Sequence, residues 1–213
     1  MLMEILFATK NQGKLREIKN ALEAPGSGIH VISMEEAGIT ADVTEDGDTY
    51  EANALKKAET ICGLSGMITL ADDSGLEIDC LDRRPGVYSA RYLGENTPYK
   101  EKNRIILEMI TDVPDERRTA RFVCVIAAAF PGGGAYTARG VIEGLIAREI
   151  GGGNNGFGYD PIFYVPEYGK TMSELPIEIK NAISHRGQAL RVIKACLDGE
   201  EERGRYNKTA CIQ

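Results

Sequence analysis

Two adjacent carboxylates, Asp72 and Asp73, stand with Ser74 and Gly75 behind an apolar run, Met67-Ile68-Thr69-Leu70-Ala71. The run reads as a short buried strand entered through Gly66. Neighbouring acids at the end of such a strand repel one another unless a cation or a shared proton lies close by. Ser74 and Gly75 add a hydroxyl and a close backbone approach. The combination suits a Mg²⁺-phosphate site, because Mg²⁺ takes one or two carboxylates and completes its shell with phosphate oxygens and water. An Asx-type polar turn, in which an Asp caps backbone amides, is the alternative for the same stretch.

Cationic and amide groups that could face such a site occur elsewhere. Thr9-Lys10-Asn11-Gln12-Gly13-Lys14 lies between a strand-like Met3–Thr9 and a helix with Leu15, Ile18 and Leu22 on one side. A strand, a polar turn and a helix N-terminus together attract anions through free N–H groups and the helix dipole. The stretch is not a Walker loop, since G-x-x-x-x-G-K-[ST] is absent; an exposed lysine-bearing turn is the plainer alternative. The acidic segment 42–48, containing Glu45, leads into a helix from Thr49 with Tyr50, Ala54, Ala58 and Ile61 inward. Asp48-x-x-Glu51 has the form of a capping box, which gives Glu51 a structural role. Asn53 and Lys57 share a helical face, so Lys57 is a phosphate ligand if that face borders the Asp73 strand end.

Gly151-Gly152-Gly153-Asn154-Asn155-Gly156 matches G-x-G-x-x-G letter for letter, but no helix opens from it, so it is not a dinucleotide fingerprint. Phe157-Gly158-Tyr159-Asp160 follows it, and aromatics among glycines suit a loop that lays a ring on a planar ligand. A glycine-rich connection with a core Phe is the alternative. Farther on, Lys180 and the turn Ser184-His185-Arg186 bring an ammonium, an imidazole and a guanidinium to the start of a last helix. A lone His without partners is weak evidence for a metal.

The elements that must position these groups follow from periodicity. Ile29–Ser33 and 76–81 read as strands, and a helix after Pro98 carries Ile105, Ile106, Met109 and Ile110. Residues 119–130 and 135–142 form a hairpin across Pro131-Gly132-Gly133-Gly134. Strands and helices do not alternate strictly, so the expected architecture is α/β with a mixed sheet. With 213 residues the chain is read as one domain over 1–197, with a charged, disordered tail over 198–213. No run approaches the ~20 apolar residues of a membrane span, and the strand-like start, with no basic region or cleavage site, gives the expectation of a chain without a leader. Five scattered cysteines suit reduced thiols in the cytoplasm. A net charge of -7 argues against nucleic acid as a partner.

Six stretches in order carry a resemblance: Thr9-x-Asn11-x-x-Lys14, Thr49-Tyr50-Glu51-Ala52-Asn53-Ala54-x-x-Lys57-Ala58, Ala71–Leu76, Pro85–Arg91, Phe157–Pro161 and Ile183–Gly187. Together they resemble the inosine/xanthosine triphosphate pyrophosphatases, over roughly the first 195 residues. The resemblance implies a long mixed sheet flanked by helices, two lobes with the active-site cleft between them, a homodimer and one Mg²⁺ per subunit. It implies hydrolysis of ITP, dITP and XTP to the monophosphate and pyrophosphate. It gives Thr9, Lys10, Asn11, Gln12, Gly13 and Lys14 to phosphate, with Asn53, Lys57 and Ser74 also on the substrate. Glu45 and Asp73 would hold the metal, with Asp73 also the base. Phe157, Gly158, Tyr159, Asp160, Lys180, His185 and Arg186 would hold the nucleotide. Many members carry Glu directly before the helix Asn, where this chain has Ala52, with Glu51 one position earlier as a substitute. A related pyrophosphatase for modified pyrimidine nucleotides and a non-catalytic nucleotide-binding module are the other readings.

Overall fold

The structure, a computed structural model, describes residues 2–203. The chain runs β1 (Met3–Phe7), α1 (Gln12–Leu22), β2 (Ile29–Ser33), α2 (Tyr50–Ser65), β3 (Thr69–Ile78), β4 (Arg84–Pro85) and α3 (Tyr99–Met109). It continues through β5 (Thr119–Ala129), β6 (Ala135–Ile146), β7 (Phe163–Val165), β8 (Lys170–Thr171), α4 (Ile177–Ile183) and α5 (His185–Arg203). Among the described residues the strands form an eight-stranded mixed sheet, ordered β2-β1-β3-β5-β6-β7-β8 with β4 on β3. The pairs β1–β2 and β1–β3 are parallel, whereas β3–β4, β6–β7 and β7–β8 are antiparallel. No helix among the described residues is long and apolar enough to cross a membrane. Cys62, Cys80 and Cys124 are free thiols.

The chain divides into two units. The first contains the residues up to Asp73, Cys124–Gly140 and the chain from Arg186 onward. Its core joins Ile5, Phe7, Val31 and Leu70 of the strands to Leu15, Ile18 and Leu22 of α1 and to Leu190 and Ile193 of α5. Parallel strands covered on both faces read as unbroken apolar runs, as Ile5-Leu6-Phe7-Ala8 does. The second unit contains Ser74–Val123 and Val141–His185. Its core gathers Leu76, Ile78, Ile106, Phe122, Ile162, Phe163 and Met172.

Four expectations need correcting. The acids do not end a strand: β3 runs unbroken from Thr69 to Ile78, with Asp72 to Gly75 in its middle and a short 3-10 turn at Asp79–Leu81. Paired charges hold Asp72 inside the sheet and an amide donor holds Asp73 there, as described below. α2 is capped by Thr49, whose hydroxyl accepts from the Ala52 N–H at 3.1 Å, rather than by an Asp48–Glu51 box. The β-extended Thr49 aims its Oγ1 at the first turn, and the Glu51 carboxylate lies on Arg139 at 3.0 Å. In α3 the inward residues include Lys102, Asn103 and Ile106, while Met109 is exposed. The tail boundary at 198 falls inside α5, which continues to Arg203. Three consecutive glutamates, good helix formers, offset the single Gly199 there. Residues 204–213 of the expected tail lie outside the described residues.

Thr49→Ala should therefore destabilise the protein by about 1 kcal/mol, and Asp48→Ala by less than about 0.5 kcal/mol, in denaturant titrations. The opposite ranking would return the cap to Asp48.

Candidate active site

The first unit builds its site from three elements around β3. Asn11 caps α1: its Oδ1 accepts from the N–H groups of Gly13 at 2.9 Å and Lys14 at 3.1 Å. The Asn11 N–H in turn donates to Thr9 Oγ1 at 3.2 Å. Two of the amides expected to face an anion are thus engaged by Asn11 itself. Lys10 lies on Asp42 at 3.2 Å, both well exposed. Lys14 reaches Asp72 at 3.0 Å.

Asp72 is fully buried and lies among cations. Arg186, at the start of α5, donates to its Oδ2 through Nη2 at 2.9 Å and Nε at 3.3 Å. The same guanidinium pairs through Nη1 with Glu17, which lies one turn after Lys14 on α1. Burial pushes the Asp72 carboxyl up, but Lys14, Arg186 and Lys57 outweigh it and hold the acid well below the usual carboxylate range. The Cys124 thiol, 4.0 Å from Asp72 Oδ2, is pushed up to about 12, chiefly by burial. Arg186, expected on the nucleotide, pairs here with Asp72 and Glu17. Glu17 itself escaped the sequence reading. Its signal was an acid on the buried Leu15-Ile18 face at i+3 from Lys14.

Asp73, one residue along the strand, faces the other way. Asn53 of α2 donates to its Oδ2 at 2.9 Å, while Asn53 Oδ1 accepts from the Gly47 N–H at 2.8 Å. A Cβ at Gly47 would come 2.8 Å from that Oδ1, so only glycine lets the acidic segment lie so close to Asn53. Burial raises the Asp73 carboxyl to about 6, with nearby Glu45 adding to the rise and Asn53, Lys14 and Lys57 opposing it. Glu45 is ion-paired with Lys57. Glu45 and Asp73 are hard oxygen donors whose mutual repulsion a cation would relieve. No group of three acid, His or Cys side chains that could hold a metal occurs among the described residues. A two-carboxylate set suits Mg²⁺, which draws its other ligands from phosphate and water.

The second unit holds the other expected residues, with Ser74 half-buried in β3. Asp160 Oδ2 accepts from the Phe157 N–H and from Lys180 Nζ, each at 2.8 Å. The Lys180 ammonium also lies 5.1 Å from the centroid of the Phe157 ring. Asp160 and Lys180 are buried, so this pair braces the loop from within. Tyr159 is buried and its hydroxyl donates to the Ser89 carbonyl at 2.8 Å. Phe157, Gly158, Tyr159, Asp160 and Lys180 therefore come together. His185 is buried against Phe122, with ring centroids 4.9 Å apart.

The sequence matches the model of the Ham1 family over residues 5–196. It is 50% identical over 190 residues to the dITP/XTP pyrophosphatase of Geobacter sulfurreducens, spanning 89% of this chain and 94% of that protein. It is 46% identical over 202 residues to the dITP/XTP pyrophosphatase of Clostridium perfringens, spanning 92% of this chain and 98% of that protein. A solved HAM1 protein from Coxiella burnetii superposes with a TM-score of 0.80 at 42% identity, covering 92% of this chain and 99% of its own.

The contrast between the two acids can be measured in metal-free protein. From the ordinary aspartate value of 3.8 up to about 6, native Asp73 holds a proton that the unfolded chain has lost. Stability falls as pH rises through that window, and the penalty is complete above it. Asp73→Asn should therefore melt higher than the parent at about pH 8 and converge with it near about pH 4. Asp72→Asn should be less stable by about 3 kcal/mol, since it strands buried cations. Thermal melts in EDTA that rank the two variants the other way would overturn this assignment.

Proposed function

We propose that this chain, which belongs to the Ham1 family, hydrolyses the deaminated purine nucleotides ITP, dITP and XTP to the nucleoside monophosphate and pyrophosphate. One observation carries the reading: a buried carboxylate, Asp73, is aimed by Asn53 beside a second carboxylate, Glu45, with the ammonium of Lys57 alongside. Water is the attacking group at the α-phosphorus. Its oxygen bonds to phosphorus as the bond to the bridging oxygen breaks, and pyrophosphate leaves with the electron pair. Asp73 orients the water and takes its proton. Asn53 fixes the rotation of that carboxylate. Lys14 and Lys57 oppose the negative charge that builds on the leaving oxygen.

Glu45 and Asp73 would hold Mg²⁺, which supplies charge neutralisation at the phosphate oxygens when bound. Phe157 serves as the stacking surface for the purine, and Lys180 and Asp160 hold its loop. The chain acts as a homodimer in the cytoplasm, the assembly and compartment that the family resemblance suggests. The side-chain chemistry needs no covalent intermediate, because Asp73 can activate water directly.

Incubation of ITP with Mg²⁺ should release IMP and pyrophosphate, and EDTA should stop it. Asp73→Asn should lower kcat by ~10² or more. A panel of ITP, dITP, XTP, ATP, GTP and modified pyrimidine triphosphates tests the substrate class. Release of single orthophosphate, or preference for a pyrimidine, would defeat the reading.

A further inference from the structure

One face of α3 holds two loops of the second unit in place. Tyr99, Lys102 and Asn103 lie at i, i+3 and i+4 and so share that face. Lys102 Nζ donates to the Ala90 carbonyl at 2.7 Å and stands 5.1 Å from the Tyr99 ring centroid. Asn103 Nδ2 donates to the Gly158 carbonyl at 3.1 Å. The Tyr99 ring meets Tyr159 edge to face, with centroids 5.1 Å apart at 85°. Tyr159 in turn reaches the Ser89 carbonyl, and the Ser89 hydroxyl accepts from the Leu76 N–H at 2.9 Å and donates to the Gly86 carbonyl at 2.6 Å. The 86–90 and 157–160 segments are thus tied to each other and to one helical face.

Asn103 is the costly member of this set. It is 2% exposed, and its Oδ1 has no hydrogen-bond partner among the described residues. A buried acceptor left unpaired lowers stability, and an apolar side chain of similar size would avoid that cost. What the amide supplies in return is the donor to Gly158. That glycine has φ +65°, one of several conformations open to glycine, so the donor to its carbonyl selects it. Fixing its carbonyl fixes the peptide plane into Tyr159, one residue from the Phe157 ring.

We propose that Asn103 is a positioning residue for the purine-stacking loop: through Gly158 it holds Phe157 in place and sets nucleotide affinity without touching the reacting phosphorus. The inference rests on the nucleoside triphosphate reading of the site. It differs from a packing role, because the donor is supplied at the expense of stability.

The chain contains no tryptophan, so Phe157→Trp provides a single fluorescent reporter in the loop. In that background Asn103→Leu should raise acrylamide quenching by about twofold or more. In the otherwise unaltered chain, Asn103→Leu should raise KM for ITP about threefold to tenfold, the equivalent of one lost hydrogen bond, with kcat within about twofold. Its melting point should stay within about 4 °C of the parent, and inhibition by pyrophosphate should be unchanged. Asn103→Ala carries the same measurements if the leucine variant does not fold. Unchanged KM together with unchanged quenching would overturn the proposal. So would a fall in kcat at constant KM, or an equal loss of pyrophosphate inhibition. A parent enzyme that hydrolyses no nucleoside triphosphate would refute the function reading instead, and the quenching comparison would then decide the loop contact alone.

Discussion

A buried carboxylate with no access to water imposes the strongest constraint on the first unit. Asp72 has 0% exposure, and an ionised group in that position is tolerable only among compensating charges. Lys14 and Arg186 compensate it, and Glu17 compensates Arg186. Two acids and two bases therefore close on one another from α1, β3 and α5. Removing any one member strands the others, so the three elements are held in a single relative register. Lys14 and Glu17, one helical turn apart, fix the rotation of α1 about its axis. The phosphate-loop candidate at the start of that helix inherits its orientation from the same contacts.

The strand's alternation then gives adjacent, chemically identical residues opposite properties. Asp72 looks toward cations and is locked in its ionised form. Asp73 looks toward an amide and a second carboxylate and holds its proton up to about pH 6. Two like groups with environments that push their proton affinities apart form a pattern typical of acid–base sites. Here one acid is a structural anchor and its neighbour is the candidate base.

Elements with local signals were legible in the sequence. Asn11 and Leu15-Ile18-Leu22 announce α1, the alternation through Ile29–Ser33 announces β2, and the glycine turn at 131–134 announces the β5–β6 hairpin. β3 was misread as two strands because Asp-Asp-Ser-Gly is poor strand material on its own. Its compensation comes from Arg186, 114 positions away, and no window of sequence contains both. The same distance hid the pairing of Arg186 with Asp72 and Glu17. Asn11, read in the sequence as an anion ligand, also caps α1, with its Oδ1 accepting from Gly13 and Lys14. The grouping of Phe157 to Asp160 was visible. The helix face behind it was not, because Lys102 and Asn103 look like surface residues in a sequence and are buried by contacts 12 and 55 positions away.

Charge pairing bears directly on how a chain of net charge -7 could accept a triphosphate. The three lysines that the family resemblance gives to phosphate are each set against a carboxylate: Lys10 against Asp42, Lys14 against Asp72 and Lys57 against Glu45. Their attraction for an anion is therefore largely cancelled before it arrives. Asp73 adds further negative charge once it ionises. Close to neutrality or below it, such a site has little intrinsic pull on a polyanion, and bare phosphate would meet as many acids as bases. A divalent cation held by Glu45 and Asp73 would reverse the balance, supplying positive charge where the two carboxylates meet and leaving the Lys57 ammonium for phosphate oxygens. The pairing pattern thus gives a physical reason for the proposed site to take nucleotide and metal together rather than nucleotide alone.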